Sequence, residues 1–81
     1  MPIVKRSLTL KGHRTSVSLE SEFWEAFRAS AATRAMSLNA LASEIDAARL
    51  EGGHAADNLS AAIRLYVLAE LQERLKAAEA R

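Results

Sequence analysis

The sequence predicts a mainly α-helical fold with one short β-strand per chain. It is expected to assemble as an intertwined homodimer whose two strands form an intermolecular antiparallel ribbon. Two observations carry this. Residues 14–20, RTSVSLE, alternate strictly, with Thr15, Val17 and Leu19 on one face and Arg14, Ser16 and Ser18 on the other. The next residues, SEFWEAFRASAA, switch at once to a helical period, and two further helical segments follow. Apart from residues 5–10, the strand has no candidate partner in its own chain, and a lone strand leaves its backbone donors and acceptors unpaired. A chain of 81 residues without cysteine builds a small core and has no disulfide to support it. Symmetric pairing with a second copy answers both needs.

The elements follow in order. Residues 1–12 read as a basic N-terminal arm or short strand, weakly alternating through Ile3, Leu8 and Leu10 and interrupted by Gly12 and His13. Residues 13–53 hold the strand and two helices, and residues 54–81 a loop and an additional C-terminal helix. Ser18, Glu20 and Ser21 are alternative caps for the first helix, whose apolar stripe is Phe23, Trp24, Phe27, Ala31 and Ala32. Val17 and Leu19 are expected to pack over Phe23 and Phe27 as the dimer core. The aromatic stripe reads as core, not as a cofactor site.

The first helix should fade at residues 34–36, and Ser37 is placed to cap the second. Leu38, Leu41, Ala42, Ile45 and Ala48 give that helix its apolar face, and Gly52 and Gly53 end it. Asn58 or Ser60 starts the third helix, with Leu59, Ile63, Val67, Leu71 and Leu75 four apart. Ala62, Leu65, Tyr66, Leu68 and Ala69 widen its apolar face, which is expected to bury against the two-helix core or across the dimer.

The net charge of +1 conceals an asymmetry. Lys5, Arg6, Lys11 and Arg14 fall in residues 1–19, which contain no acid; the remaining residues carry a balance of −3. A one-sided basic arm favours a polyanionic partner, with Lys5, Arg6 and Lys11 as candidate arm contacts. An antiparallel ribbon fits the major groove of B-DNA. Its outer face then offers Arg14, Ser16 and Ser18 to the bases: arginine can donate twice to guanine, and serine can donate or accept. After Ser37 no acid appears until Glu44, so the positive end of the second helix is open to phosphate, with Asn39 as an added donor.

The segment GHRTSVSLESEFWEAFRASAATRAMSLNALASEI resembles a ribbon-helix-helix domain. More narrowly, GHRTSVSLE, SLNAL, EID–R and NLSAAIRLYVL resemble a small bacterial ribbon-helix-helix group with an additional C-terminal helix. The resemblance implies a homodimer that binds double-stranded operator DNA and regulates transcription. By position it implies base contacts from Arg14, Ser16 and Ser18, and phosphate contacts at Ser37, Leu38 and Asn39. The wider family includes antitoxins that bind a protein through a C-terminal extension. The alternative is therefore a protein-interaction or antitoxin-like dimeric module using the third helix.

Other classes are set aside. His13 and His54 lie far apart and have no metal-like partners at helical spacing, so no metal and no cofactor is expected. No nucleophile–base pair or carboxylate dyad is visible, and Asp46 reads as a structural ion-pair partner of Arg49, Arg64 or the second chain, so no enzyme is expected. No membrane-length apolar run or secretory signal is present, which gives a cytoplasmic expectation and no membrane partner.

Overall fold

Two strands, not one, precede the helices. The computed structural model describes residues 2–51 and 58–80. Strand β1 spans Ile3–Leu10 and β2 spans His13–Glu20, followed by helices α1 (Ser21–Thr33), α2 (Leu38–Glu51) and α3 (Leu59–Glu79). The strands pair antiparallel in the same chain, from Ile3 opposite Glu20 to Leu10 opposite His13.

The turn explains the pairing. Lys11 and Gly12 both have positive φ, 51° and 83°. Two left-handed residues make a two-residue hairpin turn whose twist matches that of the flanking strands. Of the two readings of residues 1–12, arm or short strand, the structure has the strand, so each chain carries two strands where one was expected. The signal for β1 was weak because its alternation is broken. Arg6 stands on the helix-facing side beside Leu8 and Leu10, whereas the exposed Ile3 stands on the outer side.

The helix-facing side of the hairpin is the floor of the core. Leu8, Leu10, Val17 and Leu19 are buried there against Trp24, Phe27 and Ala31 of α1 and Leu41, Ala42 and Ile45 of α2. Val17, Leu19 and Phe27 are wholly buried within one chain, while Phe23 is only partly covered. The Trp24 indole N–H donates to the Val4 carbonyl at 2.8 Å, tying β1 to α1.

Glu20 takes the capping position of α1 but makes no side-chain cap bond. Instead the Ser21 amide donates to the Pro2 carbonyl at 3.2 Å, so the hairpin's start closes the helix's start. Helix α1 ends in a Schellman arrangement: Met36 N–H donates to Ala31 O at 2.9 Å and Ala35 N–H to Ala32 O at 3.0 Å, with Ala35 at φ 54°. The Ser37 hydroxyl accepts from the Ala40 amide at 3.0 Å and caps α2 as expected. Asn58 caps α3 by accepting from the Ala61 amide at 2.8 Å. The expected stop at Gly52 and Gly53 lies outside the described residues, as does His54.

Helix α3 is covered along only half its length. Leu59, Ala62, Ile63 and Val67 are buried, but Leu65, Leu68, Leu71 and Leu75 are 48% to 60% exposed. Residues four apart advance by about 40° beyond a full turn at each step, so the row from Leu59 to Leu75 winds off the contact face. Where α3 does touch the core, polar groups fix it. The buried Ser30 hydroxyl donates to the Glu70 carboxylate at 2.7 Å, which also receives the Tyr66 hydroxyl at 3.4 Å and faces the Arg34 and Arg74 guanidinium groups at 3.7 and 3.5 Å. On β2, the Ser18 amide donates to the Ser60 hydroxyl at 3.0 Å, and Arg64 donates to the Ser18 carbonyl at 3.3 Å and to Glu20 at 2.9 Å.

Two stability predictions follow from these contacts. A left-handed non-glycine residue carries a cost of about 1–2 kcal/mol, partly recovered in the unfolded chain when glycine replaces it. Ala35→Gly is therefore expected to raise stability by roughly 0.5–1 kcal/mol, read as a higher urea midpoint with an unchanged slope. A lower midpoint would contradict the left-handed geometry at residue 35. The hydrogen bond from Arg64 holds the Glu20 carboxyl below its ordinary range. A depressed carboxyl stabilises fully above its unfolded value and loses that contribution as pH falls through its folded value. The stability gap between wild type and Arg64→Gln should thus narrow on acidification through the carboxylate range; a gap independent of pH would dismiss the ion pair.

Candidate nucleic-acid interface

The register of the hairpin assembles a surface from its outward positions. Side chains alternate across a strand, so Arg14, Ser16 and Ser18 share the outer face of β2 and Lys5, Ser7 and Thr9 that of β1. Across the ribbon, Thr9 stands opposite Arg14, Ser7 opposite Ser16 and Lys5 opposite Ser18. All six are exposed except Ser18, which is half-buried where α3 reaches its backbone. The three base-contact candidates therefore lie together on one face, as their alternation implied.

The face is cationic at both ends. Lys5 and Arg14 stand diagonally on it, and Lys11 sits in the turn beside Arg14. Its one acid, Glu20, opposite Ile3 at the far end, is held by Arg64. Arg6 leaves from the other side, with its guanidinium 5.8 Å from the centre of the Trp24 ring, so it is separated from Lys5.

The start of α2 borders this hairpin. No acid lies in the first turn of α2. Ser37 spends its hydroxyl on the Ala40 amide, and the Leu41 amide donates to the Ser37 carbonyl at 3.0 Å. Asn39 is not simply a free donor: its Oδ1 accepts from the Thr9 amide at 3.2 Å. That bond uses the outward edge of β1 and ties the α2 start to the end of the hairpin that carries Arg14. Sequence reasoning missed this link, and no local pattern announces a contact between residues 30 apart. With its Oδ1 engaged, Asn39 keeps the two N–H donors of its side-chain amide.

Asp46, Arg49 and Arg64 are engaged in ion pairs. Asp46 and Arg49 pair at 2.7 Å on α2, and Arg64 pairs with Glu20 rather than with Asp46. Among the described residues no cluster of three or more metal-ligating side chains occurs, and no helix is long and apolar enough to cross a membrane.

Comparison with curated proteins and with solved structures gave no match. The sequence profile of the ribbon-helix-helix domain matches residues 3–71, taking in the hairpin, α1, α2 and α3 as far as Leu71. Domains of that family generally bind DNA and regulate transcription, typically as dimers, and are not enzymes. A match over most of the chain, on the fold just described, makes this protein a member of the ribbon-helix-helix domain family.

Proposed function

We propose that the chain is a DNA-binding transcription regulator that lays the outer face of its hairpin in the major groove. The observation that carries this reading is the polar, cationic outer face, bordered by an acid-free helix start. The major groove, about 12 Å wide, admits a two-stranded ribbon. Arg14 is suited to a paired contact with guanine, and Ser16 and Ser18 to neighbouring bases. The start of α2, at Ser37, Leu38 and Asn39, holds a backbone phosphate through helix-end amides and the Asn39 donor. Lys5 and Lys11 extend the positive surface, and Arg6 reaches only phosphates at the hairpin's other side.

The regulator acts as a homodimer. The shared ribbon expected from the sequence has a competitor, because β1 fills one edge of β2 and Ser60 and Arg64 engage the other at Ser18. The exposed leucines of α3 offer a different contact. Leu65, Leu68, Leu71 and Leu75 form a stripe about 120° wide on a regular helix, continuous at Leu65 with a groove of about 370 Å³ walled by Ile45, Ala48, Ala62, Leu65 and Tyr66 together with the charged Glu44 and Arg49. Two copies joined through this face would each carry their own hairpin. The same stripe favours a second reading, an antitoxin-like module whose C-terminal helix docks another protein.

Selection of bound duplexes from a random pool tests the main reading, with an enriched site expected. Arg14→Ala should lose roughly 1–3 kcal/mol of preference for that site if it makes a paired guanine contact. Asn39→Asp should weaken all duplexes alike, because its carboxylate still accepts from Thr9 but opposes phosphate. Unchanged affinity and selectivity in both folded variants would remove the DNA face. For the dimer, Leu68→Glu with Leu71→Glu should yield a folded monomer in sedimentation and circular dichroism. A wild-type chain already monomeric at micromolar concentration would shift the case to a foreign protein partner.

A further inference from the structure

The helix-facing side of a hairpin normally carries apolar side chains, because that side is buried. At the turn end of β2 it does not. Side chains alternate across a strand, so His13, opposite Leu10, and Thr15, opposite Leu8, share the side of Val17 and Leu19. The four apolar residues of that side are buried, but Thr15 is half-buried and His13 exposed. Both line a cleft of about 670 Å³ between the turn end of the hairpin, α2 and the start of α3.

The facing wall is polar too. Ser43, Asp46, Ala47 and Leu50 recur at i, i+3, i+4 and i+7, which puts them on one face of α2, and all four line the cleft. This face is separate from the core face of Leu41, Ala42 and Ile45. Asp46 meets Arg49 through one oxygen, Oδ1, so Oδ2 is left to accept elsewhere. The third wall is the start of α3. There the Ser60 hydroxyl accepts from the Ser18 amide at 3.0 Å and keeps its own proton for another acceptor. Hydroxyl groups thus converge from three elements, Thr15 on β2, Ser43 on α2 and Ser60 on α3. Two cations, Lys11 and Arg49, stand against one acid, Asp46, and Asp46 is already paired with Arg49, so Lys11 beside His13 carries the uncompensated charge. Convergent polar groups on apolar walls, in a concavity of about 300–1,000 Å³, are the usual form of a small-molecule site.

We propose that this cleft binds a small hydroxylated organic anion, a sugar phosphate or a hydroxy acid. The anionic group lies at the rim formed by Lys11 and His13. The ligand hydroxyls exchange hydrogen bonds with Thr15, Ser43, Ser60 and Asp46. A neutral polyol lacks the first contact and inorganic phosphate lacks the second, so neither satisfies the cleft. The location makes the ligand an effector. Lys11 and Ser16 line the cleft and also belong to the hairpin, and Ser60 holds the β2 backbone at Ser18. A ligand bridging the hairpin to α2 and α3 takes Lys11 from the duplex and weakens DNA binding. That consequence rests on the DNA-binding reading above; the site itself does not.

The test titrates the full chain, labelled with nitrogen-15, with glucose 6-phosphate, gluconate, glucose and inorganic phosphate. Saturable amide shifts are expected at residues 11–16, 43–50 and 58–60 with one or both hydroxylated anions, the responding one assigning the headgroup as phosphate or carboxylate. Glucose and inorganic phosphate should bind at least about ten-fold more weakly. Thr15→Val and Ser43→Ala remove a hydroxyl, and Lys11→Asn removes the charge with a residue type that tolerates a positive φ. Circular dichroism with thermal melting confirms that each variant stays folded. Each should weaken binding about ten-fold, whereas Arg28→Gln, exposed on α1, should leave it unchanged. Absence of saturable shifts with either anion at millimolar concentration overturns the site. Shifts confined to the α2 start, equal binding of inorganic phosphate, or an equal loss in Arg28→Gln also overturn it, because each marks an anion on a general cationic surface. Isotherms on a selected duplex then read the effector role, with about ten-fold weaker DNA binding expected at saturating ligand. Unchanged duplex affinity with the cleft occupied refutes that role and leaves the site standing. A chain that selects no duplex refutes the DNA reading, and the binding site again stands on the amide shifts.

Discussion

The backbone of β2 cannot be left unpaired, and the rest of the molecule is arranged around meeting that demand. An unpaired buried amide or carbonyl costs about 1–3 kcal/mol, so a strand of eight residues needs a neighbour. The chain supplies one by folding residues 3–10 back through the two left-handed residues Lys11 and Gly12. The outward edge at Ser18 is met differently, by one hydroxyl and one guanidinium from α3. Because both partners belong to the same chain, the apolar side of the hairpin is free to act as the floor of a single core.

That core divides the labour between oil and hydrogen bonds. Trp24, Phe27, Leu41 and Ile63 provide the volume, while directional bonds decide how the elements meet. Trp24 to Val4 fixes β1 on α1, Ser30 to Glu70 fixes α1 on α3, and Arg64 to Glu20 fixes α3 on β2. Every buried side-chain nitrogen or oxygen among the described residues has a partner. Core hydrophobicity alone allows sliding; these bonds specify one arrangement, since leaving any of them unmade would strand a desolvated polar atom.

The same arrangement sorts the charge. The basic residues near the N-terminus do not act as one arm. Strand alternation sends Lys5 to the outer face and Arg6 to the Trp24 side, and the turn carries Lys11. The ion pair between Glu20 and Arg64 leaves the outer face without an uncompensated acid. A modest net charge of +1 thus coexists with a locally cationic surface, which is the quantity that matters to a polyanion at distances near the Debye length.

The sequence by itself determined the local features. The alternation of Val17 and Leu19 against Arg14, Ser16 and Ser18, the three helices, the Ser37 cap and the start of α3 to within Asn58 or Ser60 were legible, because each depends on residues within one or two turns of each other. The resemblance of the quoted motifs likewise led to the family that the profile match establishes. Tertiary structure alone decided what depends on distant partners. The sequence left residues 1–12 open between an arm and a short strand, because Arg6 breaks the pattern inward and Ile3 outward. The Asn39–Thr9 bond and the Ser60 and Arg64 contacts with Ser18 join residues 30 to 46 apart, for which no periodicity exists. The burial of α3 could not be read from its leucines, because their number exceeds the surface that one hairpin and two helices can cover. Periodicity specifies which side chains share a face of an element; only packing specifies which face meets the core and which remains exposed.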